Sequence, residues 1–246
     1  MDWLLGTGEP SAESEEVDWA AGRAALEAAH PSAPAAERER FLRARGGGGA
    51  AAAAMYAEHL AWRAASLPLA ADAPKFGAAL PEWLFFHGTA TDGTRITFVQ
   101  AARYDAELGS TTAYTLAAAA LFDEHLARDG DEKCTVLVDT RGAEGWANPP
   151  ATSLVGLIRE LTGTLRANFP ERMRRLVVYP VPWAATALWT MVQQFLDAET
   201  VAKVVLLSGP ATRGSPPPPE LFEYVALSEI RDDLRPRHEG SSAPSE

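Results

Sequence analysis

The chain has 246 residues, 47% of them hydrophobic, and a formal net charge of -11, which fits a globular protein and lacks the basic footprint of a nucleic-acid binder. Its single cysteine, Cys134, excludes both a disulfide framework within the chain and a cysteine-based zinc site. The N-terminus lacks the basic region of a signal peptide, and no uninterrupted apolar run reaches the roughly 20 residues that span a bilayer, so we expect a cytoplasmic protein.

The first quarter of the chain is predicted to be helical after an acidic leader. Residues 1–16 are acidic and rich in turn formers, which predicts a flexible segment. Apolar residues then recur at helical spacing through residues 17–68, with Pro34 near the start of a second helix and Leu60 among the bulky anchors of a third. We therefore predict a small N-terminal helical subdomain over 17–68.

The rest of the chain alternates strand and helix patterns. "RITFVQAARYD" follows a turn, and "CTVLVDT", "RLVVYPV" and "KVVLLS" are short apolar runs rich in valine, as is typical of strands buried on both faces. Helical segments separate them, and "ELFEYVALSEIRDDL" predicts a final amphipathic helix. The pattern predicts an α/β domain over residues 75–240, with a mainly parallel sheet flanked by helices, and a disordered tail over 241–246.

The segment Trp183–Leu196 has no charged residue, although the helices of a soluble domain normally carry charges on their outer face. Its polar residues form one narrow stripe and the remainder is apolar. Two interpretations remain open. The segment is a central helix covered by other elements, or it is a lid over an apolar cavity or a face that meets a membrane.

Thr200 and Lys203 follow that segment, at the junction of an apolar helix and an apolar strand. One interpretation is structural, with Thr200 bonding to nearby backbone and Lys203 projecting into solvent. The other is that both side chains hold an anion at the mouth of a cavity. Glu171 and Arg172 lie one strand and one helix earlier and would line the same mouth, because successive strand–helix units are usually neighbours.

Little in the sequence indicates catalysis. It contains no G-x-G-x-x-G after a strand, no phosphate-binding G-x-x-x-x-G-K-[ST] loop and no G-x-S-x-G nucleophile motif. The five histidines show no metal-ligand spacing, and Asp139 ends a strand without an evident partner base. We therefore expect no enzymatic activity, no metal and no cofactor.

Several stretches together resemble the CRAL-TRIO lipid-binding family. "RFLRAR" and "HLAWR" are similar to its N-terminal helical signature. "FHGTATDGTRITFVQAARYD", "VLVDTRG", "NFPERMRRLVVYPVPWAATALW" and "FLDAETVAKVVLL" are similar to its core, and "LRPRHEG" to its closing segment. The motifs occur in the family's order between about Phe41 and Gly240. The resemblance implies a mixed, mainly parallel sheet with flanking helices that enclose an apolar lipid cavity.

The resemblance also implies a headgroup site and a function. In family members that bind phosphatidylinositol, an arginine, a threonine and a lysine hold the phosphate, and a glutamate faces the inositol; these positions are Arg45, Thr200, Lys203 and Glu171. The protein would extract a phospholipid, phosphatidylinositol by this comparison, and exchange or present it at membranes. The alternatives are a carrier of another hydrophobic ligand, such as a sterol or a tocopherol-like or carotenoid-like molecule, and a scaffold without a ligand.

The resemblance places the family's mobile gate helix on Trp183–Leu196. The protein would then be a monomer that contacts a membrane surface transiently and binds no nucleic acid. The family's choline-phosphate hydroxyls align near Cys134 and Val136, which carry no hydroxyl, although Thr135 lies between them. The implied gate and cavity residues are Trp183, Leu188, Trp189, Val192 and Phe195.

Overall fold

The computed structural model describes residues 17–77, 79–143, 149–183, 186–231 and 234. The predicted leader, 1–16, and the predicted tail, 241–246, lie outside the described residues.

Three helices form the N-terminal part, namely α1 (Trp19–Ala29), α2 (Ala35–Arg43) and α3 (Gly49–Ser66). Helices α1 and α3 cross closely at Gly49, where a β-carbon would lie 2.9 Å from the Cα of Gly22. Leu60 is 37% exposed, so its predicted role as an anchor is wrong. The buried face of α3 lies one turn earlier, around Tyr56.

Five strands make one sheet in the order β1-β2-β3-β4-β5. Strands β1 and β2 are antiparallel, and β2 to β5 are parallel. This confirms the predicted α/β class with a mixed, mainly parallel sheet. The strands are β1 (Leu84–Thr89), β2 (Arg95–Gln100), β3 (Cys134–Asp139), β4 (Met173–Val181) and β5 (Val204–Ser208).

Helices α4 (Thr111–His125) and α5 (Leu154–Asn168) pack together against one face of the sheet. Between β4 and β5 the chain forms α6 (Thr186–Val192), a short 3₁₀ turn and α7 (Ala198–Ala202). Helix α6 lies beside α5.

The opposite face of the sheet is covered by the C-terminal segment. The predicted final helix is wrong, because its described residues up to 230 form two 3₁₀ turns, Pro219–Glu223 and Leu227–Glu229, separated by extended backbone at Ala226. The extended form spreads the apolar side chains over the sheet, and the carbonyl of Tyr224 accepts a hydrogen bond from Thr91 N at 3.0 Å. The proline run before it is structural in part, since Pro217 and Pro218 are buried.

A buried polar cluster, the clasp, joins the N-terminal helices to the sheet domain. The Glu37 carboxylate on α2 accepts hydrogen bonds from Tyr56 Oη (2.6 Å) and from Arg128 Nη2 (2.6 Å), which follows α4. His59 Nε2 lies 3.6 Å from Glu37 Oε1, and Arg40 Nη2 donates to the carbonyl of Arg128 at 2.9 Å. The clasp therefore fixes α2 and α3 on the loop that leads into β3.

Candidate functional site

One face of the sheet is only partly covered. Phe98, Leu137 and Val177 are fully buried on the face beneath the C-terminal segment. On the face that packs on α4 and α5, two rows of side chains cross the strands in register. In each row the β2 residue is buried, whereas the residues of β3, β4 and β5 are half-buried. The rows are Thr97, Val136, Leu176 and Val204, and Val99, Val138, Val178 and Leu206.

Because the β3, β4 and β5 residues of both rows are only half-buried, this part of the sheet face is incompletely covered, and we call this largely apolar surface the apolar groove. Apolar surface exposed to water in this way is unfavourable by about 25 cal/mol per Å². A groove of this kind indicates a site for an apolar ligand or partner.

The gate segment predicted from the sequence lies beside α5, which packs on the same face of the sheet. Trp183 is 88% exposed, Phe195 is exposed and Trp189 is half-buried, whereas Val192 is 9% exposed. The side chain of Leu188 lies outside the described residues. The segment thus presents large apolar groups to solvent instead of burying them against the sheet.

Two pockets among the described residues are small. One, of about 10 Å³, lies at the clasp, and the other, of about 160 Å³, lies between α1 and α2. Ligand pockets typically have volumes of roughly 300–1,000 Å³, and neither pocket borders the gate segment. The enclosed lipid cavity therefore stays a prediction.

Thr200 and Lys203 lie at the end of β5 that carries its amino terminus, and both have partners. Asp197 caps α7: its carboxylate accepts hydrogen bonds from Thr200 N at 2.7 Å and from Thr200 Oγ1 at 3.0 Å. Lys203 Nζ donates to Glu199 Oε1 at 2.7 Å. Burial tends to raise the pKa of Asp197, but the bonds from Thr200 outweigh it and lower that pKa. Both side chains thus have local acidic partners, whereas the structural interpretation expected a backbone partner for Thr200 and solvent around Lys203.

Glu171 lies at the same edge of the sheet, in the turn before β4. Its Oε2 atom is 3.3 Å from Lys133 Nζ. Because Lys203 O pairs with Leu176 N, Glu171 lies on the order of 10 Å beyond Lys203 along the strand direction. Within the described ranges, no hydrogen bond or ion pair joins Glu171 to Thr200 or Lys203.

Arg45 is exposed in the turn after α2. Two residues earlier, Arg43 Nη1 lies 3.4 Å from Asp131 Oδ2, which places the end of α2 against the loop before β3. No hydrogen bond or ion pair joins Arg45 to Lys133 or Glu171 within the described ranges. In the described part of the chain its guanidinium has no hydrogen-bond or ion-pair partner.

The positions near the family's choline-phosphate hydroxyls are inside the sheet. Cys134 and Thr135 are fully buried, and Thr135 Oγ1 lies 2.7 Å from Thr94 Oγ1. Val136 is half-buried in the apolar groove. None of the three offers a free hydroxyl at the surface.

Asp139, the strand-end acid, is held by an arginine. Arg141 Nη2 donates to Asp139 Oδ2 at 2.6 Å, and the same guanidinium donates to the carbonyls of Ser215 and Leu234. The pair is buried and anchors the C-terminal segment. No group of three or more metal-ligating side chains occurs among the described residues.

Sequence inspection missed the clasp and Lys133. The spacing of Glu37, Arg40 and Phe41 on one face of α2 was the available signal for the clasp, since charged residues on a face that also carries a phenylalanine indicate a buried polar contact. Lys133 had no such signal, because only its position beside Glu171 distinguishes it from a surface lysine.

Comparison with known proteins agrees with this architecture. The CRAL/TRIO domain model matches residues 82–234, more than half of the chain. The phosphatidylinositol transfer protein PDR17 of Saccharomyces cerevisiae is 32% identical over 81 residues, which are 32% of this chain and 23% of PDR17.

A solved structure shares the fold. The crystal structure of Sfh5 superposes with a TM-score of 0.58 at 16% identity, covering 71% of this chain and 64% of that one. The chain thus spans less than two thirds of either relative. None of the helices in the described ranges combines the length and apolarity needed to cross a bilayer. The five-stranded sheet agrees with this fold, and the domain match over more than half of the chain shows that the chain belongs to the CRAL/TRIO family of lipid-binding and lipid-transfer proteins.

Proposed function

We propose that this protein binds a phospholipid, phosphatidylinositol in the first place, and exchanges or presents it at membranes. The observation that carries the proposal is the apolar groove, whose side chains are half-buried on β3, β4 and β5, whereas Phe98, Leu137 and Val177 on the opposite face are fully buried. Acyl chains would lie in this groove between the sheet and α5, with the gate segment closing over them.

The energetics suit exchange. Burying roughly 30 acyl methylenes contributes about 25 kcal/mol against water, at about 0.8 kcal/mol each, and the bilayer provides the same stabilisation. Moving the chains between bilayer and groove is therefore nearly neutral if they never cross water. The exposed Trp183 and Phe195 would enter the interface and let the groove open there. The proposal includes a cytoplasmic, monomeric protein that meets membranes transiently, and the free, buried Cys134 fits a reducing compartment.

The headgroup would bind at the amino edge of the parallel strands. A phosphate taken from water needs charged donors, because an unpaired buried ion is very costly. Lys203 would release Glu199, which is 68% exposed, since an i,i+4 surface pair contributes only about 0.3–0.5 kcal/mol. Thr200 would rotate its hydroxyl from Asp197, and Arg45 has no competing partner in the described structure.

A second ligand class is favoured by one observation. Because Thr200 and Lys203 already have acidic partners, the groove can function without a phosphate, as in a carrier of a sterol-like or tocopherol-like molecule.

Mass spectrometry of the lipids bound after incubation with mixed vesicles tests the proposal. We expect phosphatidylinositol on the wild type and about tenfold less on Lys203→Ala, because one charge-assisted hydrogen bond is lost. Lys75→Ala is the matched control, since Lys75 is an exposed lysine before β1. Equal loading of the two variants would remove Lys203 from the site. A different bound lipid would favour the second ligand class. The absence of lipid on every variant would favour a scaffold without a ligand.

A further inference from the structure

Lysine is rare in this chain, and two of its three lysines lie at one edge of the sheet. Lysine and arginine total 22, and only Lys75, Lys133 and Lys203 are lysines. Lys133 immediately precedes β3, Lys203 immediately precedes β5, and Glu171 stands two residues before β4 between them. From β3 through β4 to β5, these three side chains at the edge therefore carry a positive, a negative and a positive charge.

The pair of Lys133 and Glu171 is partly enclosed and geometrically fixed. The side chains are 31% and 16% exposed and approach to 3.3 Å. Glu171 has a φ of 61°, in the left-handed region that non-glycine residues adopt rarely and at a cost. The next residue holds it there, because buried Arg172 donates to the carbonyl of Glu132 at 2.9 Å and to that of Ala127.

The pair retains binding capacity after its own contact. An ammonium has three N–H donors and a carboxylate has two acceptor oxygens, so each group has bonds left to make. Neighbouring hydroxyls of a cyclic polyol both donate and accept, and they complement a cation and an anion set side by side. We propose that Lys133 is a further headgroup-binding residue, which with Glu171 binds the hydroxyls of a polyol headgroup while Lys203 binds its phosphodiester.

Lys133 has a second effect in this arrangement. Its charge neutralises Glu171, which would otherwise stand as a carboxylate near an anionic phosphate and repel it. On the same loop, Arg43 Nη1 lies 3.4 Å from Asp131 Oδ2, two residues before Lys133. The inference rests on the proposed function and adds that the headgroup site is selective for polyol headgroups.

The three lysines allow a direct test in the unmodified protein. Amine acetylation followed by mass spectrometry would be measured with vesicles of phosphatidylcholine alone, with added phosphatidic acid, and with added phosphatidylinositol. We expect phosphatidylinositol to reduce labelling of Lys133 and Lys203 severalfold, phosphatidic acid to protect Lys203 alone, and Lys75 to label equally throughout.

The outcomes separate the two proposals. Protection of Lys203 without Lys133 by phosphatidylinositol would overturn the role of Lys133 and leave the proposed function standing. Protection of neither would overturn the headgroup site as a whole. Protection of all three, Lys75 included, would show general coverage by the membrane and would also overturn the inference.

Variants provide an independent check. Lys133→Ala should lower phosphatidylinositol loading about tenfold relative to Lys75→Ala, by loss of one charge-assisted hydrogen bond. Adding Glu171→Gln should restore part of the loading, because the repelling carboxylate is then gone. Thermal melting would show that each variant is folded. Loading of Lys133→Ala at the wild-type level, or no gain in the double variant, would refute the assignment.

Discussion

The contribution of Glu37 in the clasp to the free energy of unfolding can be predicted quantitatively. Glu37 is 3% exposed and joins α2 to Arg128. Burial tends to raise the pKa of Glu37, but the nearby His59 imidazole and the hydrogen bonds from Arg128 and Tyr56 outweigh it and lower that pKa from 4.5 to about 2. At ~1.4 kcal/mol per pKa unit, the ionised form contributes about 3 kcal/mol to the free energy of unfolding. We expect Glu37→Gln to lose about this amount at pH 7.

The pH dependence follows from the direction of the shift. Since the pKa is lower in the folded state, the stabilisation is complete above the unfolded-state pKa of about 4.5 and is lost as the pH falls towards 2. The stability difference between wild type and Glu37→Gln should therefore be constant from pH 7 to about 5 and shrink below pH 4.5.

Urea unfolding followed by tryptophan fluorescence would measure this difference at each pH. Glu58→Gln is the control, because Glu58 is exposed on the neighbouring helix α3. Equal stability of the two variants at pH 7, or a difference that persists unchanged at pH 3, would refute the role assigned to the Glu37 carboxylate.

Three further predictions concern packing and membrane contact. Arg141→Ala should lower the unfolding free energy by about 3–5 kcal/mol, because it leaves the Asp139 charge buried and unpaired; chemical denaturation checks this, and a loss below 1 kcal/mol would contradict it. Gly49→Ala should cost about 1–3 kcal/mol through its clash with α1, whereas Gly163→Ala on α5, with open space around it, should gain up to about 1 kcal/mol; opposite shifts in Tm are the check. Trp183→Ser should weaken vesicle binding in a sedimentation assay without lowering Tm, since the side chain is 88% exposed; unchanged binding would remove Trp183 from the membrane contact.

The sequence alone determined the class of fold, because its signals are local. Valine-rich runs such as that of β3 and the turn before β2 predict strands from a few neighbouring residues, and their alternation with helices leaves few topologies. The family motifs extended this to the sheet type. The prediction of the final helix was wrong because tertiary contacts hold this apolar segment in an extended form over the sheet. One such contact is the hydrogen bond from Thr91 N to the Tyr224 carbonyl.

The candidate site was predictable only in part. Glu171, Thr200 and Lys203 were named from the sequence pattern, and Arg45 was added from family positions. The structure places Glu171 before β4 and Thr200 and Lys203 before β5, and no hydrogen bond or ion pair joins Glu171 to either of them among the described residues. Their roles stay predictions. Thr200 and Lys203 have acidic partners at positions 197 and 199. The sequence shows these acids nearby, but it does not show whether they or a phosphate bind the two side chains more strongly.

Tertiary structure alone decided which charged groups are buried together and which sheet face stays open. Glu37 and Arg128 are 91 residues apart, and Lys133 and Glu171 are 38 apart. No local pattern encodes such pairs, because a charge is stabilised in the interior only by the partner that folding brings to it. The groove also depends on distant parts of the chain. In the sequence its valines resemble those of the opposite face, and the two sets differ only in how much of them the rest of the chain covers.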